Sequence, residues 1–164
     1  MRFGSDKSMA RFNGRTLLDG AIDRLEVWCS KVVVAGHHHE EALVIDDWPR
    51  PDMGPLAGIA AALRHAEKER HSLVLSCGVD SVDLPDDLPE LLSPAPAYMA
   101  SQPVIGLWPV TARPTLERIL TVGSRHSMKA FAEAIGARAV RTGDKPANIN
   151  TPEDLATLEK RHGL

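Results

Sequence analysis

The chain has 164 residues, 43% of them hydrophobic and 25% charged, and a formal net charge of −3 at pH 7. This length and apolar content fit one globular domain over residues 1–164 and argue against a disordered chain. The slight acidic excess argues against a nucleic-acid partner, since such proteins usually carry a strongly basic face. With no apolar run near the roughly 20 residues of a membrane span and no signal region, we expect no membrane partner and a cytosolic location.

Helical and extended patterns alternate along the chain. In chain order, they predict a helix at 16–25, strands at 32–35 and 43–45, a helix at 56–70, a strand at 72–76, a short helix at 85–92, extended chain at 97–108 interrupted by Pro103, helices at about 114–122 and 126–135, a strand at 137–141, and a last helix capped by Thr151. This alternation predicts an α/β fold in three αβα layers, with a mostly parallel sheet covered on both faces.

Polar side chains follow the predicted strands at the edge where such sheets bind ligands. Asp46 and Asp47 follow the second strand, Asp80 follows the third, and Asn148 and Asn150 precede the last helix. Carboxylate and amide oxygens suit Mg²⁺, which often takes only one or two ligands from protein, so Asp80 and Asn150 are candidate ligands. The alternative is that these side chains only cap turns.

Other reactive residues carry weaker signals. Lys7, in a small-residue turn, is either a point charge for a triphosphate or a surface lysine. Successive side chains of an extended segment point in opposite directions, so the three histidines of the run His37–His39 cannot readily bind one metal ion. The run is interpreted as a polar strand-to-helix turn, although one histidine could line a base pocket. The two cysteines, Cys29 and Cys77, are interpreted as small buried thiols.

The chain lacks a serine-hydrolase elbow, a CxxC pair and a Walker loop. No nucleophile is therefore evident. The residues fit better a reaction that needs only positioning and charge neutralisation, and nucleotidyl transfer is a reaction of this kind.

Several segments together resemble a known family. They are "RFGSDK" at 2–7, "GPLAGI" at 54–59, "VDSVDLP" at 79–85, "SQPVIGLW" at 101–108 and "NINTPEDL" at 148–155. In this order and approximate spacing, they resemble the motifs of the molybdenum-cofactor guanylyltransferases, which join GMP from GTP to molybdopterin. The resemblance implies a Rossmann-like nucleotidyltransferase fold, Mg²⁺ as cofactor, and GTP and molybdopterin as partners, with a molybdoenzyme or its chaperone as a further candidate partner.

The resemblance also implies roles for individual residues. Lys7 contacts the triphosphate, Asp47 helps to bind the guanine nucleotide, and Asp80 holds Mg²⁺. Asn148 and Asn150 line the place where the molybdopterin phosphate and the metal meet. The nucleotide pocket is shaped by the "GPLAG" residues Gly54, Pro55, Leu56 and Gly58.

The sequence departs from the family pattern in two places. Ser81-Val82-Asp83 replaces the usual turn after the metal aspartate, and the family's first strand and glycine loop would lie upstream of Met1. We therefore expect a natural start roughly 15 to 20 residues earlier, and the chain as given to be less stable and weak or inactive.

Two alternative functions stay open: a cytidylyltransferase or other small-molecule nucleotidyltransferase, and a catalytically weak or inactive homologue that binds nucleotide or cofactor. Base choice would depend on the missing loop and on residues around His37 and Asp47.

Overall fold

The structure, a computed structural model, describes residues 11–12, 15–123, 126–142, 147–148 and 153. The strands are β1 (Arg11–Phe12), β2 (Arg15–Thr16), β3 (Val33–Ala35), β4 (Leu43–Ile45), β5 (Leu73–Ser76), β6 (Ser81–Val82), β7 (Ala97–Met99), β8 (Gln102–Pro109), β9 (Arg138–Val140) and β10 (Ala147–Asn148). The α-helices are α1 (Leu17–Trp28), α2 (Pro55–Lys68), α3 (Leu88–Leu92), α4 (Arg113–Val122) and α5 (Met128–Ile135).

Four strands form the largest sheet, in the order β5-β8-β7-β9. β7 and β9 are parallel, whereas β8 runs antiparallel to both of its neighbours, β5 and β7. β3 and β4 form a separate parallel pair, and β6 and β10 a short antiparallel pair. Parallel pairing is thus found in β3–β4 and β7–β9, and the antiparallel β8 is a feature that the sequence did not predict.

The residues of β8 divide the core into two layers. Trp108 packs in a cluster with residues of α2, α4 and α5, whereas Ile105 and Leu107 pack in a second cluster with α3 and β7. Successive side chains of a strand point to opposite faces, so these two clusters cover the two faces of the sheet. The predicted three-layer αβα architecture is thereby confirmed.

The helices that border the site have defined starts. Thr16 caps α1, because its Oγ1 accepts a hydrogen bond of 3.0 Å from the backbone N–H of Asp19. α2 begins at Pro55, whose fixed φ suits the first helical position. Gly54 precedes it with a φ of +74°, a conformation that favours glycine.

Most predicted elements are found within a few residues of their expected bounds. The strand at 43–45 matches β4, and the extended chain at 97–108 is a hairpin of β7 and β8. Of the predicted last helix, the structure describes only residue 153, which is helical, and the cap Thr151 lies outside the described residues. Within the described part of the chain, no helix is long and apolar enough to cross a membrane.

Candidate active site

A cleft of about 790 Å³ opens beside the ends of β3 and β5 and the start of α2. Its polar end is lined by Gly36, His37, Asp47, Gly54 and Gly78. Ligands of α/β sheets bind outside the carboxyl ends of the strands, and the volume lies in the range of roughly 300–1,000 Å³ that is usual for small-molecule sites. The cleft is therefore the candidate active site.

The cleft continues as an apolar groove along β3 and β5, where α1 and α2 contribute side chains such as Ile22 and Ile59. Among the described residues, β3 pairs only with β4 and β5 only with β8, so one edge of each strand has no strand partner there.

Asp47, two residues beyond β4, lies against two glycines of the cleft. A Cβ atom added to Gly36 would stand 2.9 Å from both carboxylate oxygens of Asp47, and one added to Gly58 would stand 3.5 Å from Oδ1. Gly36 also has a φ of +73°, so both its conformation and the close approach of Asp47 require glycine. Burial raises the pKa of Asp47, against the opposing field of His37.

The start of α2 supplies the other predicted pocket residues. Gly54, Pro55 and Gly58 line the cleft. Leu56 differs, because its side chain is fully buried in the same core cluster as Trp108. Leu56 can therefore contribute to the cleft only through its backbone.

Asp80 lies in a tight turn after β5. Its Oδ1 would be 2.9 Å from a Cβ added to Gly78, and the N–H of Ser81 donates to the carbonyl of Gly78 at 3.1 Å. Ser81, only 4% exposed, donates from Oγ to Oε1 of Gln102 at 3.1 Å. Asn148 stands opposite Ser81 in the β6–β10 pair, so the chain before the last helix passes beside the residue next to Asp80.

Asp80 is the predicted metal ligand that lies among the described residues. Among them, no three His, Cys, Asp or Glu side chains gather as a metal-binding group. Asp80 would supply one carboxylate to Mg²⁺, an ion that often takes only one or two ligands from protein and the others from phosphate and water. Lys7 and Asn150 lie outside the described residues, and Asn148 is placed by its backbone alone.

The histidine run forms a polar turn, but it connects β3 to β4 rather than a strand to a helix. His39 Nδ1 accepts from the backbone N–H groups of Glu41 at 3.1 Å and Ala42 at 2.8 Å. The ring proton must then be on Nε2, which lies 2.9 Å from Asp19 Oδ1 and donates to it. His39 thus fastens this turn to α1, while His37 lines the cleft.

Sequence reasoning missed two pairs of residues near the site. Ser81 was noticed only as a departure from a motif, although its burial and its bond to Gln102 fix the turn that carries Asp80. Trp48, next to Asp47, is stacked by Arg64 of α2. The position of Trp48 directly after Asp47 is a signal that could have drawn attention to it.

Comparison with known proteins identifies similar sequences over most of the chain. Residues 1–142 match the family model of the MobA-like NTP transferase domain. A molybdenum cofactor guanylyltransferase of Acidiphilium cryptum is 36% identical, with 95% of this chain and 86% of the relative covered. A second, from Rhodopseudomonas palustris, is 32% identical, with 95% and 84% covered.

Solved structures show the same fold at lower identity. Molybdopterin-guanine dinucleotide biosynthesis protein A from Archaeoglobus fulgidus has a TM-score of 0.77 at 20% identity, covering 99% of this chain and 93% of its own. The 2-C-methyl-D-erythritol 4-phosphate cytidylyltransferase of Thermus thermophilus has a TM-score of 0.70 at 17% identity, covering 96% and 94%. Both therefore support the Rossmann-like nucleotidyltransferase fold.

Proposed function

The chain belongs to the family of MobA-like NTP transferases, and we propose that it transfers GMP from GTP to molybdopterin. A phosphate oxygen of molybdopterin attacks the α-phosphorus of GTP, and the bond from that phosphorus to the bridging oxygen of pyrophosphate breaks. The products are molybdopterin guanine dinucleotide and pyrophosphate. The observation that carries this proposal is the cleft, where Asp47 lies against Gly36 and Gly58, and where Gly78, the glycine next to the turn of Asp80, is part of the lining.

Asp47 binds the nucleoside part of GTP in this proposal. An ionised carboxylate only accepts hydrogen bonds, so it suits the N–H groups of guanine or the hydroxyls of ribose and repels phosphate. The lack of side chains at Gly36 and Gly58 leaves room for the Asp47 carboxylate in the lining of the cleft. Gly54, Pro55, Leu56 and Gly58 shape the pocket, with Leu56 acting through its backbone.

Asp80 holds Mg²⁺ beside the triphosphate. When bound, the ion neutralises charge on the phosphate oxygens and helps to align them for in-line displacement. The role of Asp80 is to fix the position of that charge, because its turn is tied to Gly78 and Ser81. Lys7 supplies a further positive charge to the triphosphate, and Asn148 and Asn150 bind the acceptor phosphate.

The proposal extends to the cellular setting of the reaction. GTP and molybdopterin are the substrates, and a molybdoenzyme or its chaperone receives the product. The cytosol is the proposed location, and one domain over residues 1–164 is the proposed unit.

The test is product formation with purified protein, molybdopterin, Mg²⁺ and either GTP or CTP. We expect the guanine dinucleotide and pyrophosphate in equal amounts, with GTP preferred. A preference for CTP would identify a cytidylyltransferase, and GTP binding without pyrophosphate release would identify a non-catalytic homologue; either result overturns the proposal.

A pair of variants tests the role of Asp80. Asp80→Asn keeps the size of the side chain but removes the charge, and we expect turnover to fall about 100-fold or more. Asp87→Asn is the matched control, because Asp87 is exposed in the same segment and makes no side-chain cap bond to α3. Equal turnover in the two variants would exclude Asp80 as the metal ligand.

A further inference from the structure

We propose that Arg64 and Trp48 are positioning residues that hold Asp47 in the cleft. The inference rests on the proposed function of the cleft as the GTP site. It concerns the segment between β4 and α2, which carries Asp47 and has no regular secondary structure. Such a segment can present a carboxylate accurately only if something outside it fixes its position.

Trp48 is the anchor of this segment. Its backbone N–H donates to the carbonyl of Ala57 in α2 at 3.0 Å, and its ring packs against the core cluster that contains Leu56 and Trp108. Because Trp48 directly follows Asp47, a shift of the indole or of this hydrogen bond moves the carboxylate relative to Gly36.

Arg64 holds the indole of Trp48 from the outer side. The guanidinium carbon lies 5.0 Å from the centre of the Trp48 ring, within the range of a cation–π contact. Arg64 is itself held, because its Nη1 donates to Glu117 Oε1 at 2.6 Å. A planar guanidinium can make both contacts at once, whereas an ammonium group cannot stack in this way.

Glu117 connects this arrangement to α4. Its second oxygen accepts from Nη1 of Arg113, one helical turn earlier, at 2.8 Å, and Arg113 also pairs with Glu67 of α2. Glu117 is only 17% exposed, and hydrogen bonds from Arg64 and Arg113 lower its pKa despite the opposing effect of burial. The carboxylate therefore stays ionised and keeps Arg64 oriented over the indole.

The direct consequence is that GTP affinity depends on residues that do not line the polar end of the cleft. Arg64→Lys keeps the charge but loses the stacking, and Trp48→Leu keeps an apolar side chain but loses the aromatic face. We expect both to weaken GTP binding by about three- to tenfold, which corresponds to the usual range of a cation–π contact. Trp48→Phe retains a ring on which Arg64 can stack, so it should restore affinity to within about twofold.

The experiment measures two quantities in each variant: the dissociation constant of GTP by calorimetry, and hydrogen exchange of the residue 48 amide without nucleotide. Arg118→Lys is the matched control, because Arg118 is an exposed arginine of α4. We expect faster exchange at residue 48 in Arg64→Lys and Trp48→Leu, with exchange in β8 unchanged as the reference for overall stability.

The two readouts separate the positioning role from the proposed function. If wild-type protein does not bind GTP but the residue 48 amide still responds to Arg64→Lys, the proposed function fails while the anchoring of this segment stands. If that amide exchanges as in the wild type, or if it responds while GTP affinity stays unchanged, the positioning role is overturned.

Discussion

Gly106 lies directly beneath the indole of Trp108 in β8, so Gly106→Ala should strongly destabilise the protein. A Cβ atom at this position would stand 2.2 Å from Cζ2 and 2.5 Å from Cε2 of Trp108. The backbone cannot retreat, because β8 is paired with β5 on one side and β7 on the other. The indole must therefore move out of a site in which it is fully buried.

The cost follows from the contacts that the indole would lose. Trp108 Nε1 donates to Ser76 Oγ at 2.9 Å, and the ring lies 5.0 Å from Phe131, centre to centre. Overpacking costs about 1–3 kcal/mol, a buried hydroxyl or N–H left without its partner about 1–3 kcal/mol, and a lost aromatic contact about 0.5–1.5 kcal/mol. Since these effects overlap, we expect a total loss of about 3–5 kcal/mol in the free energy of unfolding.

Urea unfolding, followed by far-UV circular dichroism, measures this loss. Gly20→Ala is the control, because nothing lies within 4 Å of a Cβ there and alanine in a helix should add about 0.5–1 kcal/mol. The double variant Gly106→Ala/Trp108→Leu should be no less stable than Trp108→Leu alone, since the clash is then relieved. A loss below about 1 kcal/mol in Gly106→Ala, or full additivity in the double variant, would refute this reasoning.

Three further predictions concern pH and the turn after β3. Burial raises the pKa of Cys77 from 9.0 to about 12, so between these pH values the folded state keeps a proton that the unfolded chain loses. The free energy of unfolding should therefore fall between pH 9 and 12, by up to about 1.4 kcal/mol per pH unit. In Cys77→Ala, this fall should be less steep. Burial also raises the pKa of Asp47, so GTP binding measured by calorimetry should weaken as the pH falls through that raised pKa. The variant Asp47→Asn should bind GTP weakly at every pH. Parallel pH profiles of the two proteins would contradict the role of Asp47. His39→Ala removes the acceptor of two backbone N–H groups and one hydrogen bond to Asp19, and it should cost about 1–3 kcal/mol in urea unfolding, whereas the exposed His38→Ala should cost little.

The alternating pattern predicted the layers of the fold but not all of its strand directions. The sequence locates short apolar runs such as Leu43–Ile45 correctly, because an apolar run flanked by turn residues favours a strand even where, as at Leu43 and Val44, its side chains are exposed. The β7–β8 hairpin was missed because Pro103 suggested an interruption. Tyr98 of β7 pairs with Gly106 of β8, but Met99 pairs with Gln102, so the register shifts between them. Pro103 lies within this shift, where its missing N–H interrupts no regular ladder.

The candidate site was predictable where it depends on local sequence and not where it depends on tertiary contacts. The positions of Asp47 and Asp80 after strands follow from the pattern and from the family motifs. The close approach of Asp47 to Gly36 joins loops that follow different strands, and no local pattern indicates it. The burial of Leu56 was likewise not evident, since the "GPLAG" motif does not show which of its side chains faces the core.

Ser81 ties the altered turn that carries Asp80 to two other parts of the chain. Ser81 is buried, and its hydroxyl donates a hydrogen bond to Gln102 of β8. The serine that departs from the family pattern therefore has a hydrogen-bond partner inside the fold. The same residue pairs by its backbone with Asn148, in the segment that leads to the last motif. Three motifs that are distant in sequence, those at 79–85, 101–108 and 148–155, therefore meet at Ser81, through its hydroxyl and its backbone. A change at Ser81 should therefore affect all three together.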